Sequence, residues 1–188
     1  MTYGIGLVFD PETESRIREV WATLARLGCT TPLTRPGCLP HMSLILSETL
    51  CVDDLAHDLG AVGRCLRPLE VQISTVGIFT EPELVLFYGF TPTDRLLRLH
   101  ATVEQIYGRC SSTIIPRTQS GVWVPHCTLA TQLGPHQAAA AIATAVTLPL
   151  PRVALPVGLA IVEFDQAHVA LLQVIPWQTS PALRERIA

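Results

Sequence analysis

Lysine is absent from this 188-residue chain, and all 13 of its cationic side chains are arginine. That excludes a lysine adenylate intermediate, a lysine Schiff base and a P-loop lysine, so any nucleotide chemistry has to proceed without them. Charge of either sign is scarce, at 15% of residues, and the formal net charge is −3. No broad basic face is available to neutralise a run of phosphates. This argues against long duplex nucleic acid as a partner and for a short substrate held by a few directed contacts. The six cysteines (Cys29, Cys38, Cys51, Cys65, Cys110, Cys127) include no Cys-x-x-Cys pair and have no regular spacing. They are expected to be reduced, half-buried small hydrophobes. Long apolar runs are missing too. The greasiest stretch, 148–164, is broken by Pro149, Pro151, Arg152 and Pro156, and the alanine run 138–141 is too short to span a bilayer. No segment resembles a signal peptide, so a cytoplasmic monomer with no membrane partner is the expectation.

What remains is apolar: 48% of residues are hydrophobic, enough for one good-sized core. The prolines sit at segment edges, and no polar linker divides the chain, which predicts a single domain over 1–188. A strand is expected over Tyr3–Asp10. A helix opens at Pro11-Glu12-Thr13-Glu14 and carries Ile17, Val20, Trp21, Leu24 and Leu27 at helical spacing to Gly28. Further strands are expected from His41, over Val71–Thr80 and Leu84–Phe90, from His126, and over Val157–Asp165 and His168–Pro176, the last two turning at Asp165-Gln166-Ala167. Helices are expected from Asp53, Thr93 and Gly134. Neighbouring strands are joined too tightly to run parallel, so the fold class is α+β.

One element occurs twice. Pro40-His41-Met42-Ser43-Leu44 and Pro125-His126-Cys127-Thr128-Leu129 share the pattern Pro-His-x-(Ser/Thr)-Leu, with the histidines 85 positions apart (41 to 126), and a helix follows each copy. On a strand, residues i and i+2 share a face. His41 therefore faces with Ser43 and His126 with Thr128, while Met42, Leu44, Cys127 and Leu129 face the core. Two such strands brought together give a groove holding two imidazoles and two hydroxyls. In-line displacement at phosphorus needs a base on the entering oxygen and an acid on the leaving one. Histidine, with an ordinary pKa near ~6.5, serves in either role near neutral pH. The hydroxyls suit the non-bridging phosphate oxygens. No metal or other cofactor is demanded.

The doubled motif resembles that of the two-histidine (2H) phosphoesterase superfamily. Its members include bacterial RNA 2′,3′-cyclic phosphodiesterases, also called 2′-5′ RNA ligases, and plant-type cyclic phosphodiesterases acting on ADP-ribose 1″,2″-cyclic phosphate. The resemblance extends over nearly the whole chain, and Tyr3–Leu7 and Leu86–Pro92 are most similar to the cyclic phosphodiesterase branch. It implies a bilobal, pseudo-symmetric fold of two antiparallel sheets around a central cleft, with helices outside. It further implies a metal-independent phosphodiesterase that opens a cyclic phosphodiester on a small nucleotide or RNA terminus. His41 and His126 would be catalytic, and Ser43 and Thr128 would bind phosphate. His126 is expected to activate water and His41 to protonate the leaving oxygen. Trp123 and Tyr88 are candidates for stacking on a base. The plant-type enzymes carry an aromatic on the first strand where this chain has Gly6.

Plainer readings stand beside these. Trp123 and Tyr88 also suit packing, Arg117 suits either a phosphate contact or a solvated loop, and His57, His100, His136 and His168 suit surface or helix positions. Cys38-x-x-His41 and His126-Cys127 look metal-like, but adjacent strand residues face opposite ways and too few ligands remain for zinc. Ser43 lacks the Gly-x-Ser-x-Gly context of a serine hydrolase. A nucleotide- or RNA-end-binding module without turnover, and 2′-5′ RNA ligation by reversal of the same chemistry, remain as alternatives.

Overall fold

A computed structural model describes residues 2–32, 36–50, 52–65, 69–111, 113–165 and 169–177. Cys51, His168, the Cys65 side chain and the 166–167 turn lie outside the described residues. The chain runs β1 (Thr2–Phe9), α1 (Pro11–Arg26), β2 (His41–Ser47), α2 (Val52–Cys65), β3 (Val71–Phe79), β4 (Val85–Phe90), α3 (Asp94–Cys110), β5 (His126–Ala130), α4 (Pro135–Thr147), β6 (Val153–Ala154), β7 (Pro156–Phe164) and β8 (Val169–Pro176). Sequence periodicity anticipates every element except β6, a two-residue strand between prolines that is too short to show a period.

Local chemistry starts and stops the helices. Asp10 caps α1 by accepting from the backbone N–H groups of Glu12 at 3.0 Å and Thr13 at 3.1 Å, with Pro11 in the first turn. Past its end, Gly28 takes a φ of +79°, a conformation that costs glycine little. Thr93 caps α3 through Leu96 N–H.

All the strand pairs are antiparallel, and they form two four-stranded sheets of order β2-β1-β7-β8 and β5-β4-β3-β6. The fold is α+β, two antiparallel sheets with four helices, as the motif resemblance implies. Its halves are related by the sequence repeat. In each, the histidine strand lies at the outer edge of its sheet beside the preceding strand of its half, β1 or β4.

The repeat reaches the backbone register. Between β1 and β2 the pairing steps from Ile5↔Ile45 to Gly6↔Ser43, leaving Leu44 as an extra residue. Between β4 and β5 it steps from Leu86↔Ala130 to Phe87↔Thr128, leaving Leu129 extra. Both motif leucines are thus β-bulge residues, and both are fully buried. The helices cross over between halves. Helix α1 follows β1 but packs on β5 and α4, and α3 follows β4 but packs on β2 and α2. One continuous core results, joining Leu7, Met42 and Leu44 of the first sheet to Leu86, Cys127 and Leu129 of the second. Among the described residues no helix is long and apolar enough to cross a membrane.

Candidate active site

The edge strands β2 and β5 pack against each other. Each starts at its histidine. His41, Ser43, His126 and Thr128 are half-buried, whereas Met42, Leu44, Cys127 and Leu129 are at most 1% exposed. The alternation therefore has the phase that the motif's spacing predicts.

The two rings are held alike. Nδ1 of His41 lies 2.6 Å from the Leu39 carbonyl oxygen, and Nδ1 of His126 lies 2.7 Å from that of Val124. In both cases the partner is the carbonyl two residues upstream. A carbonyl oxygen can only accept, so Nδ1 carries the hydrogen in each ring. The opposite nitrogen, Nε2, is left as a lone pair when the ring is neutral and as a donor when it is charged.

Burial lowers both pKa values below the ordinary histidine value, because a charged imidazolium loses its water there, and the Nδ1–H bonds to Leu39 and Val124 partly oppose this. His126 is lowered further by positive charge on His41 and on Arg117. Arg117 is exposed, on a short 3-10 turn (Pro116–Thr118) laid against β2. There Ile115 N–H donates to Leu46 O at 2.8 Å, and Leu46 N–H to Thr118 Oγ1 at 3.3 Å.

The surroundings of the two histidines differ. His126 meets Phe79 edge-on at 4.8 Å and Phe87 at 5.4 Å, and these two phenyl rings stack on each other at 4.2 Å. A Cβ on Gly77 would stand 2.4 Å from Phe87 Cζ, so glycine is what admits that ring. His41 instead borders a small apolar hollow lined by Gly6, Val8, Leu39, Ala160, Val162 and Leu171. Sequence reasoning missed Phe79 and Phe87, because only the β4–β5 register puts Phe87 opposite Thr128.

The remaining sequence candidates fall out as follows. Tyr88 has to be corrected. It is 2% exposed, points with Cys127 into the core and donates its hydroxyl to Ala145 O at 2.8 Å, leaving no ring face for a base. Burial pushes its phenol pKa up. Trp123 is half-buried, stacks on His100 at 4.1 Å and donates Nε1–H to Ser43 O at 3.0 Å. His100 is a helix residue as expected but a buried one, hydrogen-bonded to Thr118 O at 2.8 Å. Cys29 and Cys127 are buried, Cys38 and Cys110 half-buried, and all four are free thiols. Cys127 faces the core behind His126, and among the described residues no three His, Cys, Asp or Glu side chains cluster as metal ligands would.

Two edge-strand imidazoles, each beside a hydroxyl and turned the same way by a backbone carbonyl, are the arrangement of a two-histidine phosphoesterase. The profile of the 2′-5′ RNA ligase superfamily matches residues 9–166, and the chain belongs to that superfamily. Among solved structures it is similar to apo LigT of E. coli, at 17% identity over 92% of this chain and 95% of that one, with a TM-score of 0.56. It is also similar to Usb1 of Kluyveromyces marxianus, at 12% identity over 93% and 97% with a TM-score of 0.52. A third likeness is to a structure described as a phosphoesterase, at 16% identity over 92% and 95% with a TM-score of 0.53. At these identities the likeness concerns the fold. No curated protein matches the chain.

Proposed function

We propose that this chain is a metal-independent phosphodiesterase that opens a cyclic phosphodiester on a small nucleotide or RNA terminus, with His41 and His126 as its acid–base pair. The observation that carries the reading is the matched pair of Nδ1–carbonyl hydrogen bonds, at 2.6 and 2.7 Å, which leave both Nε2 atoms for substrate. Oriented imidazoles of this kind contribute roughly 10²–10⁴ in rate each.

The division of roles follows from charge. Bringing two imidazoles and Arg117 together favours a single shared proton. Burial lowers both rings, and the Arg117 charge further disfavours a proton on His126, which supports His41 as the acid. His126 Nε2 then takes a proton from water, the water oxygen bonds to phosphorus, and the ring P–O bond opposite breaks. His41 Nε2–H protonates the departing oxygen, giving a phosphomonoester and a free hydroxyl. Ser43 and Thr128 donate to the non-bridging oxygens, where negative charge concentrates. LigT has been crystallised with 3′-AMP and with phosphate, which supports a nucleotide monophosphate as the scale of ligand. Candidate substrates are a 2′,3′-cyclic RNA end, a cyclic mononucleotide and ADP-ribose 1″,2″-cyclic phosphate. Ligation to a 2′-5′ linkage is the same displacement with a 5′-hydroxyl in place of water: its oxygen bonds to the phosphorus of a 2′,3′-cyclic end, the P–O3′ bond breaks, and the 3′ oxygen takes the proton.

The test is a panel of those cyclic phosphates with EDTA present and the product's phosphate position assigned by NMR. Turnover should occur, and His41→Gln and His126→Gln should each remove it while the proteins stay folded. Hydrolysis by the double variant at the wild-type rate would end the proposal. Tight nucleotide binding without turnover across the whole panel would replace it with a binding module.

A further inference from the structure

The backbone carbonyls of Ser43 and Thr128 hold equivalent places in the repeat, and each accepts a hydrogen bond from a tryptophan of the other half. Trp123 Nε1–H donates to Ser43 O at 3.0 Å, and Trp21 Nε1–H donates to Thr128 O at 2.9 Å. Trp123 stands on the segment entering β5, while Ser43 is on β2. Trp21 is on α1, which follows β1, while Thr128 is on β5. Both carbonyls belong to edge strands and so lack a strand neighbour on that side.

The acceptors are related by the 85-residue offset but the donors are not, since the positions matching Trp123 and Trp21 are Cys38 and Ile106. Two unrelated tryptophans thus supply the same bond. Three residues past each acceptor the backbone is tied again, by Ile115 N–H to Leu46 O and Thr131 N–H to Thr30 O, both 2.8 Å, and the positions of these two ties do obey the offset.

Neither indole is free to swing. Trp21 is 1% exposed, with the Arg18 guanidinium 5.8 Å from its ring centre. Trp123 is stacked on His100, whose Nε2 is bonded to Thr118 O. Each acceptor lies two residues from its histidine on the same short strand, so a sideways shift of the carbonyl carries the imidazole with it.

We infer that Trp21 and Trp123 are positioning residues that set the separation of the His41 and His126 rings by bracing β2 and β5 from opposite halves. The inference rests on the proposal that the two histidines act on one phosphorus atom. Misplacing a reacting group by about 1 Å can cost on the order of 10²-fold in rate, and a ring that keeps one of the two braces is expected to move by less.

Trp21→Phe and Trp123→Phe keep an aromatic ring in place and remove only the N–H. With 2′,3′-cyclic nucleotide as substrate, each should lower kcat by about tenfold and leave KM within about twofold. An activity-independent measurement accompanies this. The pKa of His126 is read by NMR with His41 intact and as His41→Gln, and the difference between the two reports the repulsion between the rings. Because that repulsion depends on distance, the difference should change in each phenylalanine variant. Variants that lose thermal stability but keep the wild-type difference and kcat overturn the inference. A changed difference in a protein that turns over no cyclic phosphate supports the brace and removes the hydrolase reading. If Trp21→Phe fails to fold, the half-buried Trp123→Phe decides the outcome alone.

Discussion

Gly6 and Phe87 hold equivalent places in the two halves: Gly6 lies opposite Ser43 on β1, and Phe87 lies opposite Thr128 on β4. One half has a hydrogen atom where the other has a phenyl ring. His126 leans on that phenyl, whereas His41 lies directly over bare backbone. A Cβ on Gly6 would stand 3.1 Å from Met42 O and 3.3 Å from His41 Cδ2, tighter than ordinary contact. Gly6→Ala should therefore displace the His41 ring by a few tenths of an ångström. The expected result is a kcat about tenfold lower at a stability cost of about 1 kcal/mol, measured by steady-state kinetics and thermal melts. A folded Gly6→Ala protein with wild-type kcat would show that the close approach is without consequence.

The lowered histidines set a pH dependence. Burial lowers both His41 and His126, so the free protein protonates them only below the ordinary histidine value. The acid–base pair needs one proton. kcat/KM should accordingly peak below about pH 6.5 and fall as the pH rises through 7, while kcat holds to higher pH because bound phosphate favours the protonated rings. Stability should move the other way. His41, His100 and His126 all bind protons less readily folded than unfolded. Their contribution is present above about pH 6.5 and is lost as the pH falls from there through the lowered folded values. Melts at about pH 7.5 and about pH 5.5 should show the lower Tm at the acid side. A kcat/KM profile still rising above pH 7 would contradict the shared-proton account.

The fold was legible because its signals are local. Asp10 with Pro11, Thr93 with Asp94 and the alternation around each histidine are each decided within a few residues, and the structure places elements where those signals predict. The packing of β2 against β5 was legible for a different reason: the motif is duplicated, so one copy points to the other across 85 positions. What stayed hidden depends on register between distant strands. Nothing near Phe87 announces that it will face Thr128, and the step that puts it there is a bulge at Leu129. Tyr88, one position away, suits either packing or a base contact by sequence, and the register puts it on the core face with Cys127. A single residue of register separates the two outcomes.

Tyr88→Phe tests that correction. The hydroxyl donates to Ala145 O in a buried setting, tying β4 to α4. Removing it strands a buried carbonyl, which should lower stability by about 1–2 kcal/mol. Because the ring packs in the core, KM for a cyclic nucleotide should be unchanged. A raised KM with undiminished stability would return Tyr88 to the substrate site.

Arg117 offers the sharpest test of the site's charge. It is exposed, makes no ion pair among the described residues, and its positive charge is felt by His126. An anion entering between the histidines would meet two positive charges, the shared imidazolium and the Arg117 guanidinium. Arg117→Gln removes one of them without touching either ring. His126 should then titrate at a higher pH, since a neighbouring positive charge no longer opposes its protonation. A charge-assisted contact to phosphate contributes roughly 1.5–3 kcal/mol, so inorganic phosphate and cyclic nucleotide should bind at least about tenfold more weakly. The deficit should shrink as salt is raised from about 0.05 M to about 0.5 M, because exposed charges are screened over shorter distances there. NMR titration of His126 reads the first effect and phosphate inhibition at two salt concentrations reads the second. An unshifted His126 together with unaltered phosphate affinity would place Arg117 outside the site and remove the charge that favours the proton on His41.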